Sequence, residues 1–187
     1  MSGSGERLLD RQQSVVVVID IQEAYRGRTF CEERFLRGVE RLLRVAGIVG
    51  VPVLATEQYP RGLGPTLPEI RSLFPPECKV FEKRSLSCWQ AAGFAEALRG
   101  LGRSQAVLCG LEVHACVNQT AHDLLARGFQ VHLPVDAVAS RFALDFRVGL
   151  RKLFQSGVVP ATVEMVAFEW LRTAEAAEFK AVQQLFK

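Results

Sequence analysis

The chain has 187 residues, of which 49% are hydrophobic and 23% are charged. This length favours one domain, and the composition is that of an ordinary globular protein rather than a disordered, collagen-like or coiled-coil chain. The formal net charge is only +3. Such a small excess does not give the strongly basic surface of a nucleic-acid-binding protein, so no nucleic-acid partner is expected.

The five cysteines are Cys31, Cys78, Cys88, Cys109 and Cys116. Their number is odd and no two form a CxxC pair, so neither a zinc finger nor a disulfide scaffold is expected. This usage is typical of a reducing compartment, and a cytoplasmic location is predicted. No run of 18 apolar residues occurs, so no membrane-spanning helix and no membrane partner are expected.

The beginning of the chain is interpreted as a frayed tail. Residues 1–12 contain no apolar core like that of a signal peptide, and Glu6 and Asp10 argue against a transit peptide. The predicted organisation is therefore a flexible tail over residues 1–12 and one folded domain over residues 13–187.

From residue 14 onward, short apolar runs alternate with amphipathic segments. The β-branched run at 14–19 (SVVVVI) is typical of a strand buried on both faces. Apolar residues at three- and four-residue spacing between 35 and 46 predict a helix, and Gly50 is a suitable C-terminal cap. A loop rich in proline and glycine is predicted at 57–68. Further strands are predicted at 51–56, 79–82, 105–109, 129–134 and 161–167, and further helices around 94–101 and at 115–126, 142–155 and 173–187.

Strands that alternate with helices indicate parallel βαβ units with right-handed crossovers. The predicted fold class is a three-layer α/β/α sandwich around a six-stranded, mostly parallel sheet. In such sheets ligands bind outside the carboxyl ends of the strands. Asp20 follows the first strand, Lys83 follows the third, and the segment 110–116, which ends in Cys116, follows the fourth. An acid, a lysine and a cysteine are therefore expected at one rim.

Each of these three residues also has a purely structural interpretation. Asp20 could anchor a loop or cap a helix, Lys83 could be a solvated surface charge, and Cys116 could be a small buried apolar residue. A cysteine at a helix N-terminus, however, lies in the positive end of the helix dipole, which favours the thiolate. Cys109 lies inside an apolar strand and is interpreted as inert core.

Four segments together resemble the isochorismatase-like cysteine hydrolases, and most of all the isochorismatase domain-containing proteins. They are VVVVIDIQEAY, ATEQYPRGLGPT, VFEKRSLSCW and VLCGLEVHACVNQTAHDLLARGFQVHLPVDAVASR, and the resemblance extends over residues 14–187. It implies a Rossmann-like topology and a catalytic triad of Asp20, Lys83 and Cys116. It also implies a cis peptide between Leu111 and Glu112, with the backbone amides of Glu112 and Cys116 forming an oxyanion hole.

The nicotinamidase branch of this superfamily carries an Asp-x-His metal motif in the loop after the second strand. Here that loop contains Glu57, Gln58 and Tyr59, and Tyr59 stands where the histidine would be. His114 and His122 lie eight residues apart with no further ligand in register. The sequence therefore predicts no metal and no cofactor, and nicotinamidase activity is not expected.

Hydrolysis of isochorismate cleaves a vinyl ether and does not need a thiol, so retention of Cys116 favours hydrolysis of a C–N bond. The predicted substrate is a small amide or carbamoyl compound, cleaved through a thioester. A vinyl-ether hydrolase and a non-catalytic interaction or scaffold protein remain as alternatives. Tyr25, Tyr59 and Trp89 are predicted to line the substrate pocket, and the resemblance implies a homo-oligomer.

Overall fold

Within residues 8–187, which are the residues that the computed structural model describes, seven strands form one sheet. The strands are β1 (Ser14–Ile19), β2 (Val53–Gln58), β3 (Lys79–Lys83), β4 (Gln105–Leu111), β5 (Gln130–Pro134), β6 (Val138–Ala139) and β7 (Val159–Ala161). Their order is β3-β2-β1-β4-β5-β7, with β6 paired to β4, and these strands pair in parallel. The predicted fold class is confirmed. The seventh strand is β6, whose two residues gave no separate sequence signal.

Helices cover both faces of this sheet. They are α1 (Glu32–Val49), α2 (Pro60–Leu63), α3 (Pro68–Arg71), α4 (Phe94–Gly100), α5 (Cys116–Leu125), α6 (Ala143–Gln155), α7 (Val163–Leu171) and α8 (Phe179–Gln184), with 3-10 turns at Glu23–Tyr25 and Cys88–Gln90. Residues of α1, α7 and α8 share one apolar core with one face of the sheet, and residues of α4, α5 and α6 share a second core with the other. None of these helices is both long and apolar enough to cross a membrane.

The burial of β1 explains its uninterrupted apolar run. Val16 and Val18 belong to the core on the α1 side, whereas Val15, Val17 and Ile19 belong to the core on the α5 side. Alternate residues of a strand point to opposite faces, so a strand covered by helices on both faces has no position for a polar side chain. This strand lies at the centre of the sheet.

The C-terminal part of the chain differs from the sequence prediction. The strand predicted at 161–167 is wrong, because β7 is only Val159–Ala161 and the helix α7 begins at Val163. The Thr162 hydroxyl accepts a hydrogen bond from the amide of Met165 and caps that helix. The valines near the start of α7 resembled those of a strand, although the buried residues of this helix recur at helical spacing. The helix predicted at 173–187 is limited to α8, and the predicted loop at 57–68 contains α2.

The predicted flexible tail is only partly within the described residues, because residues 1–7 lie outside them. For the stretch that follows, the prediction is wrong. Leu9 is fully buried, and its amide donates a hydrogen bond to Glu169 Oε2 at 2.8 Å. The amide of Asp10 donates to Gln105 Oε1 at 2.7 Å. One apolar side chain and two long-range hydrogen bonds therefore fix this stretch against α7 and β4.

The strand order places a reversal point beside β1. From β1 the chain builds β2 and β3 on one side, and then returns to place β4, β5 and β7 on the other. The loops that leave β1 and β4 therefore diverge, and a crevice opens between their carboxyl ends. Asp20 follows one of these strands and Glu112 follows the other.

His132 in β5 is a buried titratable group away from this crevice. Its side chain has no exposed surface, and neither ring nitrogen has a hydrogen-bond partner among the described residues. Burial lowers the pKa of His132 from 6.5 to about 4, because the imidazolium form cannot be solvated there. The folded protein therefore holds this histidine neutral, whereas the unfolded chain takes up a proton below about pH 6.5.

We expect His132 to make the protein sensitive to acid. The unfolded state binds the additional proton, so the free energy of unfolding falls as the pH drops from about 6.5 towards about 4. Between pH 7.5 and 5 this loss amounts to about 2 kcal/mol. Urea unfolding at both pH values should show that loss in the wild type and not in His132→Leu. The control His122→Gln should behave as the wild type, and an unchanged pH dependence in His132→Leu would contradict the assignment.

Candidate active site

Asp20 is the first residue after β1 and lies at the reversal point. Its backbone has a φ of 52°, in the left-handed region that aspartate tolerates better than most residues. The amide of Asp20 donates a hydrogen bond to the carbonyl of Thr56 at 3.2 Å. This turn buries the carboxylate, which is only 1% exposed. An ionised side chain so deeply buried requires partners that replace water.

Gly110 allows β4 to approach β1 just before Asp20. Its φ is +118°, and a Cβ atom at this position would lie 2.0 Å from the carbonyl oxygen of Ile19. Only glycine fits such a close backbone approach. The sequence prediction ended this strand at Cys109, but β4 continues through Gly110 to Leu111. The two loops of the crevice therefore start from strands in direct contact.

Lys83 reaches the site from β3, which is separated from β1 by β2. Its side chain has no exposed surface, so the interpretation as a solvated surface charge is wrong. The ammonium Nζ lies 2.7 Å from Asp20 Oδ2 and 2.7 Å from Gln58 Oε1. The carbonyl oxygens of Leu86 and Ser85 follow at 3.1 and 3.3 Å. An ammonium has three protons and meets four acceptors here, so it has no donor left for a ligand.

These contacts keep Lys83 charged. Burial alone lowers the pKa of this lysine, but the negative charge of Asp20 raises it above its ordinary value. The charge of Lys83 in turn allows Asp20 to remain a carboxylate without water. The pair is thus a fixed acceptor for a proton, held by a cation that does not itself exchange one.

Cys116 is the first residue of α5, and 6% of it is exposed. The pKa of its thiol is raised to about 12, mainly by burial and then by the negative charge of Asp20, whereas the charge of Lys83 acts in the opposite direction. The helix dipole favours the thiolate, as the sequence indicated, but burial and the adjacent carboxylate outweigh the dipole and Lys83. At neutral pH the thiol therefore keeps its proton. The structure brings Asp20, Lys83 and Cys116 together.

The segment between β4 and α5 contains the predicted cis peptide, between Leu111 and Glu112. The carbonyl of Glu112 accepts hydrogen bonds from the amides of Ala115 at 3.0 Å and Val117 at 3.2 Å. Cys116 begins the helix, and its amide belongs to the first turn, where N–H groups have no acceptor within the helix. The main chain is thus folded tightly around the thiol.

The side chain of Glu112 has a role that the sequence analysis missed, because only its amide was considered. It is 6% exposed, and its Oε1 accepts hydrogen bonds from both the backbone N and the Nε of Arg141, each at 3.0 Å. Arg141 follows β6, so this carboxylate ties the loop beyond β6 to the loop that carries Cys116. The contact between Glu112 and Arg141 could have been predicted only by knowing that β6 pairs with β4, and the sequence did not indicate this pairing.

Of the three predicted pocket residues, the structure brings Tyr25 to the site. Tyr25 is half-buried, and its pKa is raised to about 12 by burial and then by the negative charges of Glu112 and Asp20. Its hydroxyl is therefore neutral and able to donate a hydrogen bond at physiological pH. Arg141 lowers the pKa of Tyr25 slightly, which places the guanidinium on the same side of the crevice.

The other two rings contact arginine side chains. The Trp89 ring lies between the guanidinium carbons of Arg99 and Arg127, at 4.8 and 4.4 Å from its centroid. Arg127 follows the C-terminal end of α5, roughly 15 Å along the helix axis from Cys116. Trp89 thus has two cationic partners of its own, and its predicted pocket role stays a prediction. Tyr59 is 41% exposed, and its ring stacks with the guanidinium of Arg84 at 4.3 Å.

The end of β2, which the sequence had assigned to a loop, already uses its side-chain oxygen atoms within the protein. Glu57 Oε1 accepts hydrogen bonds from the amide and the hydroxyl of Thr66, at 2.8 and 2.7 Å. Gln58 accepts from Lys83 and donates to the carbonyl of Arg84. Across residues 8–187, no three His, Cys, Asp or Glu side chains form a group suited to hold a metal ion. The absence of a metal remains a prediction.

Comparison with known proteins identifies the family. The model of the isochorismatase domain matches residues 14–165. The zebrafish isochorismatase domain-containing protein 2 is 38% identical over 99% of this chain and 91% of its own. A structure named MAR1 ribonuclease, from Caenorhabditis elegans, superposes with a TM-score of 0.90 at 31% identity, over 95% of this chain and 91% of that one.

At the level of the fold alone, a further neighbour is the YcaC gene product from Escherichia coli, described as an octameric hydrolase of unknown specificity. Its TM-score is 0.89 at 22% identity, over 96% of this chain and 89% of that one. The chain belongs to the isochorismatase family, and this membership supports a hydrolase of that superfamily. The resemblance described from the sequence is thereby confirmed.

We expect the stability of the fold to depend on both partners of the buried ion pair. Lys83→Met should lower the free energy of unfolding by about 3–5 kcal/mol, because it leaves Asp20 buried without a counter-charge. The double variant Asp20→Asn/Lys83→Met should recover part of this loss. Urea unfolding at pH 7 measures both. Lys79→Met, at the exposed start of the same strand, is the matched control. A Lys83→Met protein as stable as this control would refute the expectation.

Proposed function

We propose that this chain is a cysteine hydrolase that cleaves the C–N bond of a small amide or carbamoyl compound through a thioester on Cys116. The observation that carries the proposal is the buried cluster in which Asp20 lies 2.7 Å from the fully buried Lys83 and close enough to Cys116 for its charge to raise the pKa of the thiol. A nucleophile, a proton acceptor and a fixed counter-charge thus lie in contact at the mouth of an α/β crevice.

In the proposed reaction the sulfur attacks the substrate carbonyl while its proton passes to Asp20. The carbonyl oxygen becomes an oxyanion, to which the amides of Glu112 and Cys116 donate hydrogen bonds. Asp20 then returns the proton to the leaving nitrogen, the C–N bond breaks, and a thioester remains. Water attacks this thioester, Asp20 takes its proton and passes it back to the sulfur, and the acid is released.

The resting protonation states suit this sequence. Burial keeps Cys116 a thiol, with a pKa near 12, so a base must act during the attack. Lys83 acts only through its charge, because its protons are already donated to Asp20, Gln58 and main-chain carbonyls. Tyr25 remains as the predicted contact for the substrate, through a neutral hydroxyl beside the thiol.

Two alternatives are weakened by the same geometry. Vinyl-ether hydrolysis would leave the thiol without a function, although the charge of Asp20 acts on it directly. A scaffold protein would gain little from a buried ion pair, because desolvation offsets much of the attraction between the charges. Titratable groups with shifted pKa values in a crevice are more typical of active sites. The name of the nematode structure adds RNA cleavage as an activity to be tested.

We also propose that the chain assembles into a homo-oligomer. Phe142, Leu144 and Val148, at the start of α6, are 58–66% exposed, and large apolar side chains so close together are typical of an interface. The octameric assembly named for the Escherichia coli neighbour is consistent with this proposal. All five cysteines are free, which supports the proposed cytoplasmic location.

A substrate screen tests the reaction. Small primary amides, ureides and carbamoyl compounds, with isochorismate and an RNA oligonucleotide as the other classes, are incubated with the wild type, and ammonia or product is measured. We expect ammonia from at least one C–N substrate and a loss of at least about 1,000-fold in Cys116→Ala. Cys31→Ser, at an exposed cysteine, is the matched control and should keep full activity. Cleavage that persists in Cys116→Ala, or that is confined to isochorismate or RNA, would contradict the proposal.

We further expect the activity to be independent of metal ions, because Tyr59 replaces the metal-binding histidine and Glu57 is already bonded to Thr66. Prolonged dialysis against a chelator should leave the rate of ammonia release unchanged. Elemental analysis of the purified protein should find zinc and iron well below one atom per chain. A rate that falls on chelation and returns with added metal would show this expectation to be wrong.

A further inference from the structure

A second pair of buried polar side chains lies behind Asp20. Thr56 in β2 pairs with Ile19 in β1, and its Oγ1 lies 2.8 Å from Asp20 Oδ1, the oxygen that Lys83 does not contact. The Sγ of Cys88 lies 3.4 Å from the same hydroxyl. Thr56 is 1% exposed and Cys88 is fully buried. The sequence analysis gave neither residue a role.

The number of available protons fixes the direction of these hydrogen bonds. The Thr56 hydroxyl has one proton, and the carboxylate of Asp20, charge-paired with Lys83, can only accept. The hydroxyl therefore donates to Asp20 and has only lone pairs left for Cys88. Cys88 must then donate its S–H to Thr56. Burial and then the charge of Asp20 raise the pKa of Cys88 to about 11, so this proton is present at neutral pH.

Cys88 is itself held by the helix that carries the nucleophile. Its amide donates a hydrogen bond to Thr120 Oγ1 at 3.0 Å. Thr120 lies four residues after Cys116, and both are buried in α5. A series of hydrogen bonds thus links α5 to Asp20 through Cys88 and Thr56. It ends at Oδ1 of Asp20, whereas Lys83 contacts Oδ2.

We propose that Thr56 and Cys88 are positioning residues, in which the thiol of Cys88 orients the Thr56 hydroxyl and this hydroxyl fixes the carboxylate of Asp20 as an ionised acceptor for the Cys116 proton. This inference rests on the proposed function, because it assumes that Asp20 accepts that proton. A carboxylate held only by Lys83 could rotate, whereas hydrogen bonds to both oxygens define its plane. A donor to the charged form also favours that form over the protonated acid. Cys88 is then a fixed donor and not a second nucleophile.

The test measures the reaction of Cys116 with iodoacetamide between pH 4.5 and 9, with the Cys116 peptide quantified by mass spectrometry. In this reaction the sulfur displaces iodide while its proton passes to Asp20. For the wild type we expect a plateau near neutral pH and an acid limb where Asp20 becomes protonated. Thr56→Val keeps the shape and removes the donor, so the limb should move to higher pH by about one unit or more. Thr56→Ser keeps the hydroxyl and should leave the limb in place.

Two variants of Cys88 provide an independent second test. Cys88→Ala removes the donor to Thr56 and should move the limb in the same direction by a smaller amount, whereas Cys88→Ser keeps a donor and should not move it. If Thr56→Val does not fold, as judged by circular dichroism, this pair decides the question. The inference would be overturned if the acid limb lay at the same pH in Thr56→Val as in Thr56→Ser, and at the same pH in Cys88→Ala as in Cys88→Ser. A wild-type rate that rises steadily to pH 9 without an acid limb would instead overturn the proposed base role of Asp20, and with it the proposed function.

Discussion

The buried ion pair between Lys83 and Asp20 is the interaction on which the rest of the site depends. Both side chains are at most 1% exposed, and their closest atoms are 2.7 Å apart. Each charge would be unacceptable in this crevice without the other. The positions of Gln58, of the carbonyls after β3 and of the Thr56 hydroxyl follow from the need to satisfy every remaining proton and lone pair of that pair. The thiol then completes the neutral cluster.

The protonation state of Cys116 results from opposing electrostatic effects. The helix dipole and Lys83 both favour a thiolate, yet the thiol keeps its proton, because burial and the adjacent carboxylate favour the neutral form more strongly. In the proposed mechanism Lys83 therefore stabilises Asp20, the proposed base, more than it activates the thiol. The proposed reaction removes the proton from the sulfur only when the sulfur begins to bond to carbon. The reactivity of the site depends on the geometry of Asp20.

The sequence was sufficient for the elements whose signals are local. The run at 14–19 and the residues at the strand ends predicted a central strand and a rim that joins Asp20, Lys83 and Cys116. Long-range contacts left no such signal. The Glu112 contact with Arg141 depends on β6, two residues long, and α7 begins with β-branched residues that suggest a strand. The contacts of the Trp89 ring with Arg99 and Arg127 likewise gave no local sequence signal.

Thr56 did carry a usable signal, since it is a hydroxyl residue in an apolar strand next to the strand that ends at Asp20. The place of Lys83 has a different consequence. β3 is an edge strand, paired only with β2 among the described strands, and Gln58 faces Lys83 in that register. A slip of one residue would turn the lysine to the opposite face of the sheet. The charge cluster therefore depends on one outer strand keeping its register, since the lysine that completes the cluster is held in the sheet from one side only.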